Sequence, residues 1–141
     1  MANGVIILAH GKYAEGLKSG LDLVVGEMEN LKVVNFEEGV NFDILDGRIK
    51  EAYESLQNYQ NIVFITDLKG GTPFNRSVLL YGQQENVRVL SGLNFALTYQ
   101  ALISDEQDIE KYLEEIITTG KESIDYFELV ESDEEISDDG I

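Results

Sequence analysis

The stretch "GVIILAHGKYAEG" (residues 4–16) reads as a strand that runs into a turn and then a helix. Val5, Ile6, Ile7 and Leu8 form an unbroken branched apolar run, the composition of a strand buried on both faces. Gly11 marks the turn. Beyond it Leu17, Leu21, Val24 and Met28 fall at i, i+4, i+7 and i+11, one face of a helix. His10, the only histidine in the chain, sits where the strand gives way to the turn. A similar layout recurs in "IVFITDLKGGTPFN" (residues 62–75), where an apolar run delivers Asp67 into Gly70 and Gly71.

Working outward, β-type runs occur at 4–9 (GVIILA), 31–36 (LKVVNF), 61–66 (NIVFIT) and 86–90 (NVRVL). Segments with helical spacing lie between them. Leu45, Ile49, Ala52 and Leu56 predict a second helix. A third should run from Pro73 into the low eighties, with Thr72 as N-cap, and a fourth from about Phe95 to Ile103. A fifth should open on "SDEQ", where Ser104 and Gln107 have capping-box spacing, and carry Ile109, Leu113 and Ile116. Strict alternation of strand and helix gives an α/β fold: an open, doubly wound, mainly parallel four-stranded sheet flanked by helices. "IDYFELV" (residues 124–130) reads as a late, less buried strand.

At 141 residues the chain is one domain, with 43% hydrophobic residues and no cysteine. Neither a disulfide scaffold nor thiolate chemistry is available. The sequence shows no signal peptide and no apolar run long enough to span a membrane, so a cytoplasmic protein without direct membrane insertion is expected. The net charge is −17. Residues 131–141 hold six acids and no base, leaving 21 acids against 10 bases and −11 for the rest. Such a surface repels nucleic acid and anionic lipid. We therefore divide the chain into a single domain, 1–130, and an acidic tail, 131–141, too poor in apolar residues to order itself.

In an open α/β sheet, ligands bind beyond the carboxyl ends of the strands, where the strand order reverses. His10 lies just past the end of the first strand and Asp67 just past that of the third, so the two side chains can meet across that crevice. Gly11 and Gly71 allow backbone N–H groups to come close to a ligand. The helix that starts at Thr72–Pro73 aims its free N–H groups and positive dipole end the same way. An imidazole, a carboxylate and a helix N-terminus suggest phosphoryl transfer through a phosphohistidine. If Asp67 accepts from one ring N–H, the other nitrogen keeps its lone pair for attack. The Thr72 hydroxyl and the helix N-terminus can then stabilise phosphoryl oxygens.

Each element also has an ordinary explanation. A lone histidine after a strand is usually structural, and Asp67 can simply cap a turn. "GGTP" can be a plain loop-to-helix junction. Lys12, Lys69 and Arg76 could hold phosphate, but solvated bases are commoner. Tyr13, Phe74 and Tyr81 suit packing better than contact. It is the meeting of His10, Asp67 and the glycine-led helix start in one crevice that favours a functional site.

At these residues a family resemblance emerges. "IILAHGKYAEGL" and "ITDLKGGTPFNRS" resemble the two signatures of the mannose-class EIIA proteins of the bacterial phosphotransferase system, and the likeness extends from about residue 3 to 125, "VLSGLNFAL" included. The resemblance implies that His10 takes a phosphoryl group on Nε2 from the carrier HPr and passes it to an EIIB partner. It further implies that Asp67 holds Nδ1 and that Thr72 sits beside the phosphoryl group. It implies a strand exchanged between two subunits of a homodimer, which would account for "IDYFELV". No metal and no cofactor is expected. EIIB is expected on a separate chain, because no EIIB segment follows the acidic tail. Lys69 departs from the uncharged residue common at its position.

Rival readings fit less well. A phosphotransfer subunit of a dihydroxyacetone kinase shares the fold but lacks a "GGTPFN"-type second motif. A receiver-type signalling module with Asp67 as acceptor needs an acid pair for Mg²⁺ at the end of the first strand, where this chain has His10. A histidine phosphatase needs a second histidine and an arginine, and Ala9 precedes His10. A non-catalytic dimeric interaction module is the remaining alternative.

Overall fold

In a computed structural model, the structure describes residues 3–129. Four strands, β1 (Asn3–His10), β2 (Leu31–Phe36), β3 (Asn61–Thr66) and β4 (Val87–Leu90), alternate with helices α1 (Tyr13–Val25), α2 (Phe42–Glu54), α3 (Thr72–Tyr81) and α4 (Phe95–Ile103), and α5 (Ile109–Glu122) follows. The strands are all parallel in the order β2-β1-β3-β4. The expected doubly wound α/β sheet is therefore present, and the order reverses between β1 and β3.

The two central strands bury both faces. On one face Val5, Ile7, Val63 and Ile65 pack with Leu21 of α1, Leu97 and Ala101 of α4, and Tyr112 and Ile116 of α5. On the other, Ile6, Leu8, Ile62 and Phe64 meet Leu45, Ile49 and Ala52 of α2. Each fully buried Leu or Ile contributes roughly 1.5–3 kcal/mol. A one-residue slip of β1 would exchange its two buried sets and misplace His10 with them. At the opposite end of the sheet three buried amides act as fasteners. Asn3 Nδ2 donates to the Ser104 and Glu106 carbonyls, Asn61 Nδ2 to Asn3 Oδ1 and the Gln107 carbonyl, and Asn30 Nδ2 to the Asn3 and Leu102 carbonyls.

Three expectations need correction. The third helix is capped by Gly71, not Thr72: Gly71 is extended and its carbonyl accepts from Asn75 N–H at 2.9 Å, so Thr72 is the first helical residue. The fifth helix starts after Asp108, whose Oδ1 accepts from Lys111 N–H at 3.0 Å. Ser104 instead ends α4, and its hydroxyl donates to Glu115 Oε2 at 2.7 Å, a tertiary bond that overrides the capping-box spacing. Residues 124–129 form no strand in the single chain. They pair with no strand of the sheet and leave Ile124, Tyr126, Phe127 and Leu129 exposed. Val130 and the acidic tail lie outside the described residues.

Candidate active site at the carboxyl ends of β1 and β3

β1 and β3 are hydrogen-bonded neighbours with Leu8 opposite Thr66, so the chain brings His10 and Asp67 together at the point where the strand order reverses. Asp67 Oδ2 lies 2.8 Å from His10 Nδ1 and also accepts from the His10 backbone N–H at 3.1 Å. A carboxylate at this position accepts from Nδ1–H, and the tautomer it selects in the neutral ring leaves the lone pair on Nε2. The imidazole is 45% exposed while Asp67 is only 21% exposed, so the carboxylate stands behind the ring and the ring faces outward. Asp67 Oδ1 is buried and has no hydrogen-bond partner.

Both glycines take part, each for a different reason. Gly11 has φ +62°, a left-handed turn that lets its N–H reach back to the Phe36 carbonyl at 2.7 Å. Gly71 is needed for space: a Cβ there would stand 3.0 Å from His10 Cε1 and 3.1 Å from the Leu68 carbonyl oxygen. Thr72 follows directly and opens α3. By helix geometry the N–H groups of Thr72 and Phe74 lack intrahelical acceptors, and Pro73 has none to satisfy. Among the described residues no hydrogen bond joins the Thr72 hydroxyl to His10 or Asp67.

Of the three bases considered, Arg76 is engaged elsewhere. Its guanidinium grips Asp46 of α2 through two bonds, at 2.9 and 2.6 Å, and lies over the Phe42 ring. That bond from Arg76 holds the Asp46 carboxyl below its ordinary range, against the opposing effect of burial. Lys12 and Lys69 are both exposed. Among the described residues no three His, Asp or Glu side chains gather as a metal site.

Some parts of the site went unnoticed in the sequence. Phe36 of β2 lies opposite His10 in the β1–β2 register, and its ring meets the imidazole at 5.7 Å between centroids and 61° between planes. Thr66 Oγ1 donates to the Leu90 carbonyl at 2.7 Å, and the Thr66 carbonyl accepts from Leu93 N–H, which ties the end of β3 to the loop after β4. The Tyr13 hydroxyl donates to the Leu93 carbonyl at 3.0 Å, so the start of α1 shares that anchor. Strand pairing and the packing of the loop after β4 create these contacts, and the only sequence signal was the position of Phe36 at a strand end.

The chain thus combines a parallel α/β sheet with a carboxylate-backed histidine at its switch point. Residues 4–117 match the family model EIIA-man, described as the PTS system fructose IIA component, and the chain belongs to that family. The chain is 25% identical over 126 residues to the PTS system mannose-specific EIIAB component of Escherichia coli (strain K12), covering 88% of this chain but 39% of that protein. It is 26% identical over 98 residues to the PTS system fructose-specific EIIA component of Bacillus subtilis (strain 168), covering 70% of this chain and 67% of that one. Among solved structures it is similar to phosphotransferase system component EIIA from Streptococcus agalactiae, with TM-score 0.75, 30% identity, and coverage of 88% of this chain and 96% of that one. The mannose/sorbose-specific IIA subunit from Enterococcus faecalis shares the fold, with TM-score 0.82 at 23% identity over 94% of this chain and 99% of that one. No helix among the described residues is long and apolar enough to cross a membrane.

Proposed function

We propose that this EIIA-family chain is a cytoplasmic phosphocarrier: His10 accepts a phosphoryl group from phospho-HPr and passes it to an EIIB component, coupled to sugar uptake and phosphorylation. The observation that carries this reading is the 2.8 Å contact between His10 Nδ1 and Asp67 Oδ2 on a half-exposed ring. The Nε2 lone pair attacks phosphorus, the N–P bond forms, and the bond from phosphorus to the carrier's histidine breaks with its electron pair. The proton stays on Nδ1, where Asp67 stabilises the positive charge that the ring gains. The free N–H groups at the start of α3 and the Thr72 hydroxyl face charge on the phosphoryl oxygens, while Gly11 makes the turn after His10 and Gly71 keeps the ring edge clear. Transfer to EIIB runs the same step in reverse.

Incubation with phosphoenolpyruvate, enzyme I and HPr tests this. One phosphoryl group should be gained, labile in acid and stable in base, and lost in His10→Ala. Label that survives His10→Ala, or an acid-stable product, overturns the reading.

The same reading includes a homodimer. β4 is an edge strand, and a groove of about 500 Å³ runs along it, bounded by Phe74, Val89, Leu97, Leu113 and Ile117. The exposed apolar residues from Ile124 to Leu129 of a second copy suit that edge, as an exchanged strand would.

A further inference from the structure

We propose that Phe36 is a positioning residue for His10, holding the imidazole in its reactive orientation from the strand next door. The proposal rests on the phosphohistidine reading above and extends it to a residue outside the histidine–carboxylate pair. The hydrogen bond at Nδ1 anchors one edge of the ring, but rotation about χ1 and χ2 can still shift Nε2. Phe36 limits that freedom, flanking the imidazole with ring centroids 5.7 Å apart at 61°. On the Cε1 edge Gly71 leaves the ring its room, since a Cβ there would stand 3.0 Å away.

Its place follows from the sheet. His10 and Phe36 are register partners in the parallel β1–β2 pair, so their side chains leave the sheet on the same face. Phe36 is itself held by the core on that face, which contains Ile6, Leu8 and Leu45. Its backbone acts on the same turn, since its carbonyl takes the Gly11 N–H at 2.7 Å and closes an isolated bridge between the two residues. One residue of β2 thus holds both the backbone after His10 and the ring of His10.

The test uses potassium phosphoramidate, a small donor that phosphorylates histidine without a protein partner. In this step Nε2 forms the bond to phosphorus, the P–N bond breaks, and its electron pair departs with ammonia. Phe36→Leu should be labelled about three- to tenfold more slowly than the wild type, and Phe36→Tyr at close to the wild-type rate. Because the chain has one histidine, long-range ¹H–¹⁵N spectra read its ring alone. Nδ1 should stay protonated in all three, because Asp67 is intact, but the ring signals should be narrow in the wild type and Phe36→Tyr and exchange-broadened in Phe36→Leu. With phospho-HPr, kcat should fall in Phe36→Leu while KM stays within about twofold. Melting curves and backbone amide spectra confirm that each variant is folded, and Phe36→Met replaces the leucine variant should that one fail to fold. Wild-type labelling rate and narrow ring signals in the aliphatic variant overturn the proposal, as do equal losses in the leucine and tyrosine variants. Failure of phospho-HPr to label the wild type overturns the carrier assignment instead, and the phosphoramidate comparison still decides the role of Phe36.

Discussion

One oxygen of Asp67 serves His10 twice: Oδ2 accepts the backbone N–H at 3.1 Å and the ring Nδ1–H at 2.8 Å. The carboxylate therefore anchors both the backbone of the residue and the Nδ1 edge of its ring. On the proposed function, it also lies where positive charge develops as the N–P bond forms.

Asp67→Ala removes both bonds and the charge, and should slow transfer from phospho-HPr by about 10²–10⁴-fold. Asp67→Asn keeps a hydrogen bond through its amide oxygen and should lose less. Affinity for HPr should barely change, because the carboxylate lies behind the ring rather than on the docking surface. Rapid-quench rates and HPr titrations separate the two effects. Transfer by Asp67→Ala at the wild-type rate would reduce Asp67 to a turn residue.

Gly71→Ala probes the space on the other edge of the ring. Gly71 has φ −73° and ψ 167°, a conformation open to alanine, so the fold should tolerate the change. The added methyl must instead displace His10 or the Leu68 carbonyl by a few tenths of an ångström. We expect about a tenfold loss in transfer rate with an almost unchanged melting temperature. A large drop in melting temperature with normal transfer would place the role of Gly71 in the turn rather than beside the ring.

The Arg76–Asp46 pair should make stability depend on pH in one direction. Asp46 has its carboxyl lowered from the ordinary 3.8, chiefly by the Arg76 hydrogen bond. A group whose pKa is lower in the folded state stabilises the fold above its unfolded pKa and loses that contribution as pH falls through the folded one. Asp46→Asn should therefore melt below the wild type at neutral pH, and the gap should close as pH drops below the ordinary carboxylate range. A gap that persists undiminished in acid would show that packing, not charge, is at stake.

Truncation after Glu122 should convert a dimer into a monomer or a less stable protein, since it removes the exposed apolar run from Ile124 to Leu129. Removing residues 131–141 alone should do neither. Sedimentation of the two shortened chains decides the matter. An unchanged dimer mass after the longer truncation would move the interface elsewhere.

The central strands and both key side chains were legible because local chemistry settles them. Branched apolar runs specify buried parallel strands, and His10 and Asp67 each precede a glycine-bearing turn at such a strand's end. What escaped notice depends on distant partners. Ser104 has the spacing of a cap, yet Glu115 claims its hydroxyl and Asp108 caps the next helix. Arg76 could have faced a phosphate, but Asp46, thirty residues away, takes it. Phe36 meets His10 only because β1 and β2 pair in that particular register.

His10 and Asp67 are 57 residues apart in the chain. During synthesis the imidazole emerges first and waits for its carboxylate until β3 has been made and has docked beside β1. Parallel pairing over such a separation carries a large loop-closure cost and forms slowly. A nascent or half-folded chain would therefore expose a histidine with no carboxylate behind it, a poor acceptor. On the proposed function, phosphorylation competence thus doubles as a report that β3 has docked beside β1 at the centre of the sheet.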